Sequence, residues 1–501
     1  MTEKSRLSKF LVGRRLDDPL TYLVLVGSAY VAFELVCFSI RRAPSWDEAV
    51  YLSQVTPGMH ELPFVASRSR GITLLVWPVL QFGGTLPVVR LFLAVLSAAA
   101  LAGAFVPWVS VISFGAPIAA AISCSTWVAL FYGSEVMPNL WVALLAVASV
   151  GLVGRLMMHR EQPWDLPLAS LLLALMGMFR PPDVIPIVIA MIAAGIWARA
   201  MSVRRMALLL AGAIAGWVPW ILEMSYRFGG PLEALDKGGT TAHVSTASLA
   251  SRLIQHLAVS DGPVIGPVVD PHVSFAGIAW WATLSLLAIG GVVGARGSPL
   301  LRPLCAALLA GIGVAVEYLI FVNSVAPRFL LPTWALLSIP AAWALCTLYA
   351  GVRKHWARVI LVATLVVAWI ATQVDTANRI EAQVEVSRGA YEDVGMSLRR
   401  LAGDRFCSFA SVDGFPQIAF ASGCDGRRFI EQSQRSVQVL ERRMAPGHLA
   451  FVITHSALVP ETSSTGACLV LTLELPLNSY WLIHELDPPG RQGCATEGNG
   501  T

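Results

Sequence analysis

Tyr22–Ile40 (YLVLVGSAYVAFELVCFSI) runs straight into Arg41-Arg42 and, three residues on, into Trp46-Asp47-Glu48-Ala49-Val50-Tyr51. A helix that crosses a bilayer needs about 20 mostly apolar residues. Residues 22–40 meet that length, and the two arginines mark where the chain leaves the hydrocarbon. Asp47 and Glu48 therefore lie at a membrane surface, on the side opposite the N-terminus. Adjacent carboxylates there could belong to an ordinary polar loop, or they could take up a proton. The rest of the chain decides how to weigh them.

Across all 501 residues, 55% are hydrophobic and only 14% charged. Soluble domains carry about 25% charged residues. Apolar runs of spanning length recur from Tyr22 to Ala371, which predicts a polytopic α-helical membrane protein. The net charge of +4 is small and spread over loops, which argues against nucleic acid as a partner.

Lysine and arginine concentrate in cytoplasmic loops. Here they cluster at Lys4/Arg6/Lys9/Arg14/Arg15, Arg155/Arg160, Arg199/Arg204/Arg205, Arg296/Arg302 and Arg353/Lys354/Arg358. Spans are expected near 20–40, 86–106, 116–132, 140–158, 166–180, 184–200, 206–222, 276–294, 303–321, 329–349 and 356–373. With about eleven spans and the N-terminus inside, every cluster falls on the cytoplasmic face. Residues 41–85, 133–139, 223–275, 322–328 and the tail from about 375 then lie outside. The first span is too long and too weakly cleavable for a removed signal peptide. The short apolar piece Gly71–Phe82 fits a re-entrant or interfacial segment.

This divides the chain into a transmembrane domain, 1–374, and a small extracytoplasmic α/β domain, 375–501. The tail has no lysine and is rich in Arg, Asp and Glu. Arg379–Leu401, Gln417–Ala421 and Arg435–Met444 have helical spacing. Phe406–Ala410, Leu449–Thr454, Leu469–Leu473 and Trp481–Leu486 are short β-prone runs between turn residues. Cys407, Cys424, Cys468 and Cys494 all fall in this tail, which predicts two disulfides in an oxidising compartment, Cys407–Cys424 being favoured by proximity in chain. No Cys-x-x-Cys pair or Cys/His cluster at ligand spacing occurs, so neither a metal nor a cofactor is expected. The tail also lacks the spacing of a nucleophile–base pair, leaving it a capping or acceptor-positioning role.

Charged residues at membrane depth are costly and usually face a cavity or a partner. Glu135 falls in the short outer loop after the third span, Arg180 in Phe179-Arg-Pro-Pro-Asp183 at the next outer turn, and Arg328 in Ala326-Pro-Arg-Phe-Leu-Leu-Pro332 at the start of the tenth span. Each alone could be a snorkelling side chain or a helix-end charge. Together with Asp47 and Glu48 they suit a cavity for an anionic lipid headgroup.

With these residues in view, the chain resembles the GT-C class of polyprenyl-phosphate-dependent glycosyltransferases, in the branch of protein O-mannosyltransferases and lipid A aminoarabinose transferases. Trp46-Asp47-Glu48-Ala49-Val50-Tyr51 matches the family's Asp-Glu-Ala-x-Tyr motif. Ser134-Glu135, Arg328-Phe-Leu-Leu-Pro332 (similar to Arg-Tyr-Leu-Leu-Pro) and Tyr226-Arg-Phe-Gly-Gly-Pro-Leu support it. Where several members carry a Lys-Gly turn, this chain has Arg180-Pro-Pro-Asp183.

The resemblance implies a GT-C-like membrane domain that moves a sugar from a polyprenyl phosphate to an acceptor hydroxyl on a lipid, glycan or protein. It implies Asp47 as general base, with Glu48 and Tyr51 orienting it or holding acceptor. Arg328, with Arg180 behind it, is the expected donor-phosphate ligand, and Arg68 and Arg70 are further candidates. Glu135 and Tyr226 are expected to meet substrate. The enzyme would reside in the cytoplasmic (inner) membrane. A transporter or flippase of lipid-linked sugars would also have many spans, but with inverted repeats and helices broken at the midplane. Neither is visible in the sequence, and the charges gather at one face. A non-catalytic assembly subunit is the third reading.

Overall fold

The computed structural model describes residues 18–237, 248–266, 270–322, 324–351, 354–428, 449–454, 467–475 and 479–486. Two compact units divide it: residues 1–40, 65–76 and 85–381 form a helical unit, and residues 41–64, 77–84 and 382–501 form the second.

The helical unit opens with α1 (Pro19–Cys37). Asp18 caps it by accepting from Leu20 N at 3.1 Å, and Pro19 occupies the first turn, where its missing N–H costs nothing. Among the described residues, seven helices are long and apolar enough to cross a membrane: α1, Leu86–Ile112, Asn139–Met157, Val203–Phe228, Phe275–Gly294, Leu301–Ile320 and Pro327–Ala350. Asp165–Phe179 and Val184–Trp197, expected as full spans, are shorter apolar helices of 15 and 14 residues. The last expected span is the start of one 48-residue helix, His355–Ala402, which passes residue 374 without a break. Gly71–Gln81, at 11 residues, reaches only about 17 Å and cannot cross.

The third expected span is a bent pair. Gly115–Cys124 and Trp127–Ser134 meet at 77°. Thr126 caps the second piece by accepting from Ala129 N, and Gln373 Oε1 accepts the Trp127 N–H at 2.8 Å, so two of the donors freed by the break are satisfied. The sequence reading contained no broken helix.

Burial separates the central helices from the lipid-facing ones. The apolar windows of Asn139–Met157 and Pro327–Ala350 are each 83% buried, against 22% in Phe275–Gly294 and 28% in α1. Lipid tails are as apolar as leucine, so helices associate through close packing at small residues. A Cβ on Gly177 would come within 2.9 Å of Gly216 Cα, and one on Gly27 within 2.9 Å of the Ala98 carbonyl oxygen.

The second unit holds a five-stranded sheet, order β2-β1-β3-β5-β4, from β1 (Cys407–Ser411), β2 (Asp425–Arg428), β3 (Leu449–Thr454), β4 (Ala467–Leu475) and β5 (Ser479–Leu486). β1 runs parallel to β2 and β3, while β5 is antiparallel to β3 and β4. Parallel neighbours need a crossover, and the helix Phe415–Ser422 supplies it between β1 and β2. Gly423 ends that helix at φ +77°, its N–H bonded to the Ala419 carbonyl. The disulfide Cys407–Cys424 joins the start of β1 to the residue before β2, the expected pairing. Cys494 and the helix expected at 435–444 lie outside the described residues, as does the Cys468 side chain. Four of the five strands fall on expected runs; β2, sequence Asp-Gly-Arg-Arg, was not expected.

Candidate active site

In the second unit, Trp46–Ser53 is a helix whose first turn carries both carboxylates. Ser45 and Glu48 form a reciprocal cap: Glu48 N donates to Ser45 Oγ at 3.2 Å, and Ser45 N donates to Glu48 Oε2 at 2.9 Å. Arg388 Nη1 donates to the same Oε2 at 3.4 Å and to the Ala43 carbonyl at 3.3 Å. Glu48 is fully buried and serves this network. Asp47, one residue earlier, is half-buried on the same positive helix end. Trp46 packs edge-on against Phe415, and Tyr51 against Phe64. Ser53 Oγ accepts from Leu62 N at 3.1 Å, and Gln54 Nε2 donates to Leu62 O at 2.9 Å, folding the following loop back on the helix.

In the helical unit, the predicted arginines gather. The 3₁₀ turn Pro327–Leu330 carries Arg328, which is buried. Its Nη1 donates to Tyr132 Oη at 3.3 Å, and its guanidinium lies 5.8 Å from the Tyr132 ring centre and 5.1 Å from that of Phe329. Arg180 lies on the same Phe329 at 5.3 Å and on Tyr318 at 5.4 Å. Its Nε donates to Asp183 Oδ1 at 3.3 Å, and Tyr318 Oη donates to Asp183 at 2.9 and 3.0 Å. Gly71 packs backbone to backbone against residues 178–179, where an added Cβ would meet Phe179 Cα at 2.8 Å. That contact sets Arg70 beside the turn that carries Arg180.

Arg70 is committed to a carboxylate: Nη2 bonds Glu223 Oε1 at 2.6 Å and Nε bonds Oε2 at 3.0 Å, with Arg227 on the same Glu223 at 3.0 Å. Arg68 is half-buried in the turn before it, its N–H bonded to the Val65 carbonyl. Glu135, expected to meet substrate, is fully buried and paired with Arg90 at 3.7 Å. Tyr226 stands 91% exposed at the last turn of Val203–Phe228.

Sequence reading missed Arg90, Tyr132, Tyr318 and Phe329 as parts of this site. Arg90 carried a signal, being a lone charge inside the second span. Phe329 stood inside the quoted Arg328-Phe-Leu-Leu-Pro332 run without being singled out, while Tyr132 and Tyr318 look like any other core aromatics.

Cation–aromatic stacking fixes both guanidinium planes, and an arginine held in this way binds a phosphate through paired hydrogen bonds. A half-buried carboxylate at a helix start can accept a proton. No group of three or more His, Cys, Asp or Glu suited to a metal occurs among the described residues.

No protein-family model matches the chain, and no curated protein sequence does. Solved structures do. ArnT from Cupriavidus metallidurans bound to undecaprenyl phosphate is similar at a TM-score of 0.63 and 12% identity, over 93% of this chain and 98% of that one. The archaeal oligosaccharyltransferase AglB from Archaeoglobus fulgidus, in complex with an inhibitory peptide and a dolichol-phosphate, is similar at 0.53 and 12% identity, over 92% and 74%. The likeness establishes the fold as that of the GT-C glycosyltransferases.

Proposed function

We propose that this chain is a polyprenyl-phosphate-dependent glycosyltransferase acting on the extracytoplasmic face of a cytoplasmic membrane. Its donor is a sugar on a lipid phosphate, and its acceptor is a hydroxyl of a lipid, glycan or protein. The observation that carries this reading is the pair Arg180 and Arg328 on the shared ring of Phe329, at the ends of apolar helices. The structures similar in fold bind undecaprenyl phosphate and a dolichol-phosphate, which supports the same donor class here.

Sugar transfer needs the acceptor oxygen to lose its proton as it attacks the anomeric carbon, while the lipid phosphate departs with the bonding electrons. Asp47 takes that proton. Arg328 and Arg180 stabilise the departing phosphate, whose charge is greatest in the transition state. Glu48 holds the helix that presents Asp47, and Tyr51, on the same helix, packs edge-on against Phe64. Glu135 pairs with Arg90 of the helix Leu86–Ile112. The membrane domain 1–374 would perform the chemistry, and the domain 375–501 would position acceptor.

The test is to supply membranes containing the protein with radiolabelled polyprenyl-phosphate sugar and to follow label into lipid, glycan and protein fractions. A glycosyltransferase yields a labelled acceptor. A carrier of lipid-linked sugar moves label across the bilayer and forms no glycosyl product, which would sink the proposal.

A further inference from the structure

Arg180 has a long, rotamer-rich side chain that must be held if its guanidinium is to keep one orientation. Several neighbours hold it, Asp183, Tyr318 and Phe329 among them. Pro181-Pro182 end the preceding helix and turn the chain, with Val184 N bonded to the Pro181 carbonyl at 3.3 Å and Ile185 N to that of Pro182 at 3.0 Å. This turn brings Asp183 back onto Nε of Arg180. Asp183 is fully buried and is itself held by the Tyr318 hydroxyl, whose one O–H is shared between the two carboxylate oxygens. The Tyr318 ring stacks on Phe329 at 4.9 Å and 10°, and the Arg180 guanidinium faces both rings.

We infer that Asp183 and Tyr318 are positioning residues that set the edge and plane of the Arg180 guanidinium for the donor phosphate. The inference rests on the reading of Arg180 as a donor ligand. A structural ion pair is the competing account, and exposure separates the two. The Arg180 side chain is 22% exposed while Asp183 is 0% exposed, so the pair is closed on its carboxylate side and open on its arginine side. Tyr318 lies on Leu301–Ile320 and Phe329 on the turn that carries Arg328, so one stacked pair ties the two arginines to a common support.

The experiment measures KM for labelled polyprenyl-phosphate sugar and kcat in Tyr318→Phe, Asp183→Asn, Arg180→Ala and the double variant Tyr318→Phe/Arg180→Ala. Tyr318→Phe keeps the ring and its stacking, so it tests the hydroxyl without emptying the core. The hydrogen bond lost from buried Asp183 should lower the melting temperature modestly and leave the chain folded. Positioning for binding predicts donor KM raised about tenfold with kcat within about twofold. In the Arg180→Ala background the same change should add less than about twofold, because residues that act through one partner are not additive. Asp183→Asn should follow the same pattern. Unchanged KM in Tyr318→Phe, or a full multiplicative effect without Arg180, would overturn the inference. Normal donor KM in Arg180→Ala with transfer intact would overturn it while leaving glycosyl transfer standing. Absence of transfer in the unsubstituted chain would instead remove the proposed function.

Discussion

Asp47 and Glu48 are adjacent, yet their surroundings divide their tasks. Glu48 accepts from Ser45 N and faces Arg388, with neither side chain of that pair more than 8% exposed. Removing one member of a buried pair leaves the other charge uncompensated, which costs about 3–5 kcal/mol. Glu48→Ala should therefore lower stability by that order in denaturant or thermal unfolding of purified protein. Asp47→Asn should cost less, since Asp47 is only half-buried and the substitution keeps the side-chain shape. Equal losses would show that both carboxylates are structural. Sequence exposed the acidic pair because a span, two arginines and the motif are contiguous. It could not divide the pair, because Arg388 lies 340 residues from Glu48. A separation of 196 residues likewise hid the Tyr132 support of Arg328, which only folding brings to it.

Elements were legible where their signal is local. The expected spans overlap helices, the third being a bent pair, and the strands at 407–411, 449–454, 467–475 and 479–486 follow β-prone runs. The bend at residues 125–126 was not read, although Ser123-Cys124-Ser125-Thr126 interrupts the apolar run there and Thr126 caps the second piece. β2 owes its conformation to pairing with β1 and not to its own residues. Two predictions belong at this scale. Gly216→Leu would drive a side chain into Gly177 and should cost about 1–3 kcal/mol as overpacking, read as a lower melting temperature.

The second concerns the helix Leu249–Ala258, where burial, then the neighbouring Arg252, pushes His256 down to about 4. An unfolded histidine titrates near 6.5. Between these values the unfolded state binds the proton and the folded state does not, so stability is lost as pH falls through that window and is unaffected above it. The loss approaches ~3 kcal/mol at the low end of the window, at 1.36 kcal/mol per pH unit. Melting curves between pH 7 and 4.5 should slope downward in the unsubstituted chain and flatten in His256→Asn. Equal slopes would contradict the burial argument.

At the scale of the whole molecule, the basic loops predict orientation: N-terminus cytoplasmic, tail outside. A cysteine introduced near Gly447 should be labelled by an impermeant reagent from outside, and one near Arg204 should not. The reverse pattern would overturn the assignment. The central claim is sugar transfer with Asp47 as base, and its most direct measurement is turnover of labelled polyprenyl-phosphate sugar by Asp47→Asn. That variant keeps the side-chain shape and loses the proton acceptor. The account predicts a fall in kcat of about 10²-fold or more, the ordinary contribution of a general base, with donor KM nearly unchanged, whereas Arg328→Ala should weaken donor binding as well as turnover. Full transfer activity in Asp47→Asn would contradict it.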